Sequence, residues 1–99
     1  MTNHPKLASS EIQATFEKAF SQGWVLTEDQ TAISKLYEFR NFIEAFGWMT
    51  KVGMWAEKWN HHPEWKNVYR SVEVTLTTHD AGGLSILDAK LAAKMDDLA

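Results

Sequence analysis

Three histidines stand where they could exchange protons with a bound molecule. His61 and His62 are adjacent and precede Pro63, and His79 follows a stretch of alternating apolar and polar residues. Histidine is the side chain whose ordinary charge change falls closest to neutral pH, so it suits general acid and general base catalysis. The remaining histidine, His4, lies near the terminus and is assigned no role. His61, His62 and His79 are therefore the candidate catalytic side chains.

Glu57 and Asn60 precede the histidine pair. Glu57 lies about one helical turn before His61, so in a continuous helix its carboxylate would lie beside that imidazole. Such a carboxylate would hold the ring in one tautomer. The carbonyl end of a helix also favours a protonated imidazole, by about 0.3–1 kcal/mol. A histidine in this position could act as a proton donor.

Three interpretations of these residues stay open at this point. Adjacent histidines before a proline often only mark the end of a helix, because proline disfavours helical backbone at the preceding residue. Three histidines with Glu57 would also satisfy the ligand requirements of zinc. However, adjacent His61 and His62 usually point in different directions, and no pair of histidines is spaced four apart on a helix. The third interpretation is acid–base catalysis without a metal. Periodicity alone does not choose among them.

The elements that position these residues follow from hydrophobic periodicity. Ser10 and Gln13 have the spacing of a capping box for a first helix at 10–22. Alternating residues then predict a β-hairpin that pairs 24–27 with 31–39.

The second half begins with a long predicted helix at 41–59, for which Asn41 is a suitable N-cap. A period-two pattern from 65 to 79 predicts a second hairpin, and Ser85 with Asp88 opens a last helix. The apolar stripe of the long helix is predicted to contain Phe42, Phe46, Met49, Gly53, Ala56 and Asn60, widened by Ala45, Val52 and Trp59.

The order α-β-β-α-β-β-α predicts an α+β fold, with a four-stranded antiparallel sheet and three helices on one face. The 99 residues suit a single domain, 1–99, with about 1–8 flexible. Alternation places His79 on the face of Thr75 and Thr77, opposite Val72. A site that contains His79 is therefore expected at the rim of the sheet or on its open face.

Composition narrows the classes of function. The formal net charge is −3 with no evident basic face, so we expect no direct binding of nucleic acid. The absence of cysteine excludes disulfides and thiolate chemistry. The N-terminus lacks the apolar run of a signal peptide, and no segment approaches the roughly 20 apolar residues that span a bilayer. We therefore expect a soluble, cytoplasmic protein with no membrane association.

With these residues in view, the sequence resembles the pterin-4a-carbinolamine dehydratase family. The resemblance extends from about Leu7 to the end and includes the segments 45–58, 61–69 and 77–88. Many members have Asp at the position of Asn60 and Glu at that of Asp80. The family signature is matched in residue type and spacing by Glu57, His61, His62, Pro63, Tyr69, His79 and Asp88.

The resemblance implies an enzyme that eliminates water from 4a-hydroxytetrahydrobiopterin to give quinonoid dihydropterin. The family uses neither a metal nor an organic cofactor. By resemblance, His61 and His79 form the acid–base pair, His62 binds and orients the pterin, and Glu57 orients His61. The pterin is expected to contact Asn60, His61, His62, Pro63, Thr77, Thr78, His79 and Asp80, with Trp24 either walling the pocket or packing in the core.

The resemblance also implies partners. Family members form homodimers or homotetramers and serve the cofactor cycle of aromatic amino acid hydroxylases such as phenylalanine hydroxylase. Trp48 and Trp55 on the long helix are expected to suit the subunit interface. Two other functions remain as alternatives. One is a binding module, since animal members stabilise dimers of a homeodomain transcription factor and some relatives in photosynthetic organisms are assembly factors. The other is a metal-dependent hydrolase or metal-storage site at the histidines.

Overall fold

The computed structural model describes residues 4–99. Flexibility was predicted for about 1–8, and residues 1–3 of that range lie outside the described residues. Leu7 is held, because its N–H donates to the carbonyl of Leu84 at 2.8 Å. The elements are α1 (Ser9–Thr15), α2 (Glu17–Ser21), β1 (Val25–Leu26), β2 (Ile33–Glu38), α3 (Phe42–Lys58), β3 (Glu64–Val68), β4 (Ser71–Leu76), a 3₁₀ turn (His79–Ala81) and α4 (Ile86–Leu98).

Within residues 4–99 the strands form one four-stranded antiparallel sheet in the order β1-β2-β4-β3. β4 is central and shows why the helices cover one face only. Val72, Val74 and Leu76 are buried, whereas Glu73 between them is exposed. Because successive strand residues point to opposite faces, the buried set faces the helices and Glu73 faces outward. The predicted α+β fold with both hairpins is confirmed.

The first predicted helix differs in detail. It forms as two short helices, α1 and α2, with a break at Phe16, which has φ −105° and ψ 14°. The Ser10–Gln13 capping box does not form, because Ser10 already lies inside α1. Instead, the Glu11 carboxylate accepts the N–H of Ala8 at 2.8 Å. Phe16 at the break is completely buried.

The long helix begins as predicted, since the Asn41 side chain accepts the N–H of Glu44. However, the stripe that faces the sheet agrees with the predicted one at Ala45, Val52 and Ala56 but includes Trp48 in place of Phe42 and Phe46. Phe42 and Phe46 are exposed, and the buried positions of α3 are Ala45, Trp48, Val52 and Ala56.

Trp48 was expected to suit the subunit interface, but the expectation is wrong, because only 3% of this residue is exposed. Its ring packs on Tyr37, Phe39 and Trp65 of the sheet side. Its indole N–H donates to the carbonyl of Met95 in α4 at 3.0 Å. Trp48 is therefore a core residue that joins α3, the sheet and α4, and it is not available for contact with another subunit.

Asp96 near the end of α4 ties that helix to the sheet. Its carboxylate accepts from the Trp24 indole at 3.1 Å, from Lys35 Nζ at 2.7 Å and from the Tyr37 hydroxyl. Trp24 is 2% exposed, so core packing is its role. Burial, the hydrogen bond to Asp96 and the charge of that carboxylate together raise the pKa of Tyr37 well above its usual value near 10.

No helix in the described part of the chain is both long enough and apolar enough to cross a lipid bilayer.

Candidate active site

The end of α3 delivers His61 to the site through a left-handed turn at Asn60. Asn60 has φ 52°, a conformation that asparagine tolerates better than most residues. The N–H of Asn60 donates to Glu57 O at 3.1 Å, and the N–H of His61 donates to Ala56 O at 3.0 Å. These two bonds form a Schellman motif, which satisfies the last carbonyls of the helix and reverses the chain. The backbone of His61 is therefore fixed by the helix end.

The ring of His61 is held by a buried carboxylate. His61 is 8% exposed and Asp88 is 0% exposed, and Nε2 of His61 lies 2.6 Å from Oδ1 of Asp88. The other carboxylate oxygen, Oδ2, accepts the hydroxyl of Thr78 at 2.8 Å and the N–H of Ser85 at 3.0 Å. A carboxylate only accepts hydrogen bonds, so Nε2 of His61 carries a proton and Nδ1 is the ring atom left for chemistry.

Hydroxyl groups extend this network. Thr78 donates its hydroxyl proton to Asp88, so the 2.7 Å contact between the Thr78 and Ser85 hydroxyls requires Ser85 to donate. The Ser85 oxygen in turn accepts the N–H of Leu87 at 3.2 Å as the N-cap of α4. The predicted pairing of Ser85 with Asp88 at the start of the last helix is confirmed. The same capping aspartate therefore serves both α4 and His61.

Glu57 does not contact His61 as expected. Its carboxylate lies 2.9 Å from Nε2 of His62 instead. The reason is the left-handed turn at Asn60, which ends the helix before His61, so the spacing of one helical turn no longer applies. This pair is exposed, with side-chain exposures of 57% for His62 and 82% for Glu57. It holds the ring less firmly than a buried pair would.

His79 reaches the site from the other side. β4 ends at Leu76, and Thr78 is buried while His79 opens the 3₁₀ turn. The predicted strand to residue 79 is therefore too long, although the inward and outward alternation continues through Thr78 and His79. Nε2 of His79 lies 2.7 Å from Oε2 of Glu64, the first residue of β3.

The three histidines meet at a cleft of about 260 Å³ at the end of the sheet. Of the residues predicted to contact a pterin, Pro63 and Trp24 do not line it. Leu87 was missed, since its place in the apolar pattern of α4 indicated core packing only. The lining consists of Asn60, His61, His62, Thr77, Thr78, His79, Asp80 and Leu87.

One geometric feature is common to His61, His62 and His79. Each uses Nε2 to contact a carboxylate, and the three carboxylates come from α4, α3 and β3. Each ring therefore has Nδ1 free of that contact. Among residues 4–99, no three His, Cys, Asp or Glu side chains are grouped so that they could hold one metal ion. The histidines form three separate pairs with carboxylates.

The arrangement can perform proton transfers on a small, flat, polar molecule. His61 and His79 both line the cleft, together with the amide of Asn60, the hydroxyl of Thr77 and the carboxylate of Asp80. Such groups can bind the polar edge of a heterocycle while the histidines exchange protons with it.

Comparison with known proteins agrees with this chemistry. A sequence profile described as "Pterin 4 alpha carbinolamine dehydratase" matches residues 5–98. A protein of Roseobacter denitrificans named "Putative pterin-4-alpha-carbinolamine dehydratase" is 60% identical over 94 residues, which cover 95% of this chain and 96% of that protein. A protein of Ruegeria pomeroyi with the same name is 62% identical over 79 residues, covering 80% and 81% of the two chains.

A solved structure is also similar. The crystal structure of a protein from Brucella melitensis, described as a transcriptional coactivator/pterin dehydratase, superimposes with a TM-score of 0.89. The two chains are 39% identical, and the match covers 95% of this chain and 98% of that one. The profile and the relatives each span most of the chain. The chain belongs to the pterin 4 alpha carbinolamine dehydratase family.

Proposed function

We propose that this protein is a 4a-hydroxytetrahydrobiopterin dehydratase that uses histidines as its general acid and general base. The observation that carries the proposal is the meeting of His61, His62 and His79 at one cleft, with the His61 ring held through Nε2 by the buried Asp88. Membership of the family supports the dehydration of a pterin carbinolamine. The roles of individual residues are part of the proposal.

The reaction needs two proton transfers. The 4a-hydroxyl leaves as water once it receives a proton, and a proton leaves the adjacent ring nitrogen. The electron pair of that N–H bond becomes the new C=N bond of quinonoid dihydropterin, so the step involves no oxidant or reductant. A well-placed side chain accelerates a proton transfer by about 10²–10⁴-fold. His61 and His79 carry these two transfers, and each acts at Nδ1 because Nε2 faces a carboxylate.

The remaining polar groups of the cleft bind the pterin. His62 stands beside His61 at the cleft and orients the ring system, while Glu57 holds His62. Asn60, Thr77, Thr78 and Asp80 line the cleft and face the polar edge of the pterin. Binding energy at this edge places the 4a-carbon between the two catalytic rings.

The test is the rate of dehydration of 4a-hydroxytetrahydropterin, followed by stopped-flow absorbance. The wild type is expected to exceed the uncatalysed rate, and His61→Ala and His79→Ala each to lose about 10²-fold or more. His4→Ala is the matched control, since His4 is outside the lining of the cleft, and it should retain full activity. A chelator should leave the rate unchanged. Wild-type turnover no faster than the background would refute the proposal.

The partners follow from the same function. The product is an oxidised pterin, so the proposed setting is the cytoplasmic cycle of an aromatic amino acid hydroxylase, such as phenylalanine hydroxylase, and a reductase that restores the cofactor. The protein works as a homodimer or homotetramer. Association is supported by three exposed apolar residues of α3, namely Phe42, Ile43 and Phe46.

A binding role is the second candidate. The Brucella melitensis protein is described as a transcriptional coactivator as well as a pterin dehydratase. A folded protein without turnover that captures one specific partner would favour this role over catalysis. The complete set of three histidines at the cleft favours catalysis.

A further inference from the structure

Glu64 is the carboxylate of the third histidine pair. It is the first residue of β3, and its Oε2 lies 2.7 Å from Nε2 of His79. We propose that Glu64 is a positioning residue for catalysis, which holds the His79 ring so that Nδ1 faces the substrate. The inference rests on the proposed function of the cleft and adds a residue to it.

The backbone on both sides of this contact is fixed. Glu64 pairs with Thr75 in the register of β3 and β4. Beyond β4, the Thr77 hydroxyl donates to Thr31 O at 2.6 Å, and the N–H of Thr78 donates to Gly83 O at 2.9 Å. The start of β3 and the start of the 3₁₀ turn are therefore neighbours at one end of the sheet.

The side chain of His79, in contrast, has little packing. It is 78% exposed, compared with 9% for the side chain of His61. An exposed imidazole changes rotamer readily unless a partner restrains it. Among residues 4–99, the His79 ring has one hydrogen bond, which is its contact with Glu64. Glu64 thus does for His79 what Asp88 does for His61, but in solvent.

Pro63 explains how one short segment contains both His61 and His62 and also the partner of His79. It directly follows His61 and His62, and its restricted backbone leads the chain from the end of α3 into β3. Glu64 is the next residue. One tetrapeptide therefore carries two histidines and the carboxylate that restrains the third.

The test compares Glu64→Gln and Glu64→Ala with the wild type. Because the pair is exposed, we expect kcat to fall by about two- to fivefold in Glu64→Ala, the range of an exposed ion pair, with KM nearly unchanged. Glu64→Gln can still accept a hydrogen bond from Nε2 and should fall between the two. Glu73→Ala is the matched control, since it removes an exposed carboxylate from β4 on the same outer face of the sheet.

Two further measurements separate positioning from other effects. In a His79→Ala background, Glu64→Ala should have no additional effect on kcat, and an undiminished loss there would overturn the proposal. NMR of the free protein provides a readout without turnover, because the ring N–H of His79 should exchange with solvent faster in Glu64→Ala than in the wild type.

The outcomes distinguish this inference from the function on which it rests. If the wild type turns over and Glu64→Ala matches it both in kcat and in the exchange rate of the His79 ring N–H, Glu64 has no positioning role. If the exchange rate rises as expected but the wild type shows no turnover, the proposed function fails while the restraint of His79 by Glu64 stands.

Discussion

At the scale of single residues, Asp88 decides which nitrogen of His61 is left for the proposed proton transfer. Its Oδ1 faces Nε2 of His61, while its Oδ2 accepts from Thr78 and Ser85. The carboxylate is completely buried, and each of its two oxygens has a hydrogen-bond partner. A buried carboxylate arranged in this way fixes both the tautomer and the orientation of the imidazole.

We expect Asp88→Asn to lower kcat by about 10²-fold or more while the protein remains folded. The amide oxygen can occupy the position of Oδ2 and keep the bonds from Thr78 and Ser85. The amide NH₂ then faces Nε2 of His61, which must give up its proton to accept this donor, so the proton moves to Nδ1. The reactive atom is thereby changed. Stopped-flow kinetics and thermal unfolding measure the two effects.

Asp97→Asn is the control for this substitution, because Asp97 lies on the same helix and is exposed. It should leave kcat and unfolding unchanged. An Asp88→Asn enzyme with wild-type kcat would show that Asp88 does not set the state of His61.

The sequence predicted the histidines of the cleft better than the partners of those histidines. Residue types and spacing identified His61, His62 and His79, and all three line the cleft. The partner of His61 could not be predicted from spacing along a helix, since Asp88 is 27 residues away and approaches only when α4 packs on α3. Glu57 was assigned to His61 because the left-handed turn at Asn60 was not foreseen.

At the scale of elements, the end of α3 links helix geometry to the site. Its Schellman motif requires a residue with positive φ at position 60. Asn enters this region more readily than most other side chains, so it suits this position.

We expect Asn60→Ala to lower the free energy of unfolding by about 1–2 kcal/mol, because alanine is strained in left-handed backbone. Asn60→Gly should be close to the wild type, since glycine adopts this conformation without strain. Urea unfolding of the two variants measures the difference. Equal losses in Ala and Gly would indicate that the amide group, and not the backbone, is what matters at position 60.

The contact between Asp96 of α4 and Tyr37 of the sheet predicts how the stability of the fold depends on pH. Burial, and then Asp96, raises the pKa of Tyr37 above that of an unfolded tyrosine. Its contribution to stability is therefore complete below about pH 10 and is lost as the pH rises above that value. In a Tyr69→Phe variant, Tyr37 is the remaining one of the two tyrosines, so tyrosinate absorbance should appear only together with unfolding. Tyrosinate absorbance with an intact fold near pH 10.5 would contradict this expectation.

The starts of the two helices in the second half of the chain were predicted closely, because strong local signals mark them. Asn41 caps α3, and Ser85 with Asp88 caps α4. The orientation of α3 was predicted less well. Two overlapping apolar stripes run along this helix, and only contact with Tyr37 and Phe39 of the sheet selects the one that contains Trp48.

At the scale of the whole molecule, burial of the α3 stripe that contains Trp48 leaves the second apolar stripe of α3 exposed to solvent. Phe42, Ile43, Phe46 and Met54 are 43%, 80%, 54% and 62% exposed, and the Phe42 and Phe46 rings stack at 5.4 Å. Large apolar patches are uncommon on the surfaces of monomeric proteins. We call these four residues the outer face of α3. A second copy of the chain is the occupant that the proposed homo-oligomer supplies.

We expect the double substitution of Ile43→Glu with Phe46→Glu to reduce the oligomer to a smaller species, because it places charges in an apolar contact. Light scattering at micromolar concentration measures the mass. Turnover should persist in the smaller species, since Phe46 lies 14 residues before Asn60, about 20 Å along α3 from the cleft. Leu36→Glu is the control, because Leu36 is similarly exposed at 58% but lies on the outer face of the sheet. A monomeric wild type would show that there is no such interface. An oligomer that survives the double substitution and dissociates in Leu36→Glu would place the interface elsewhere.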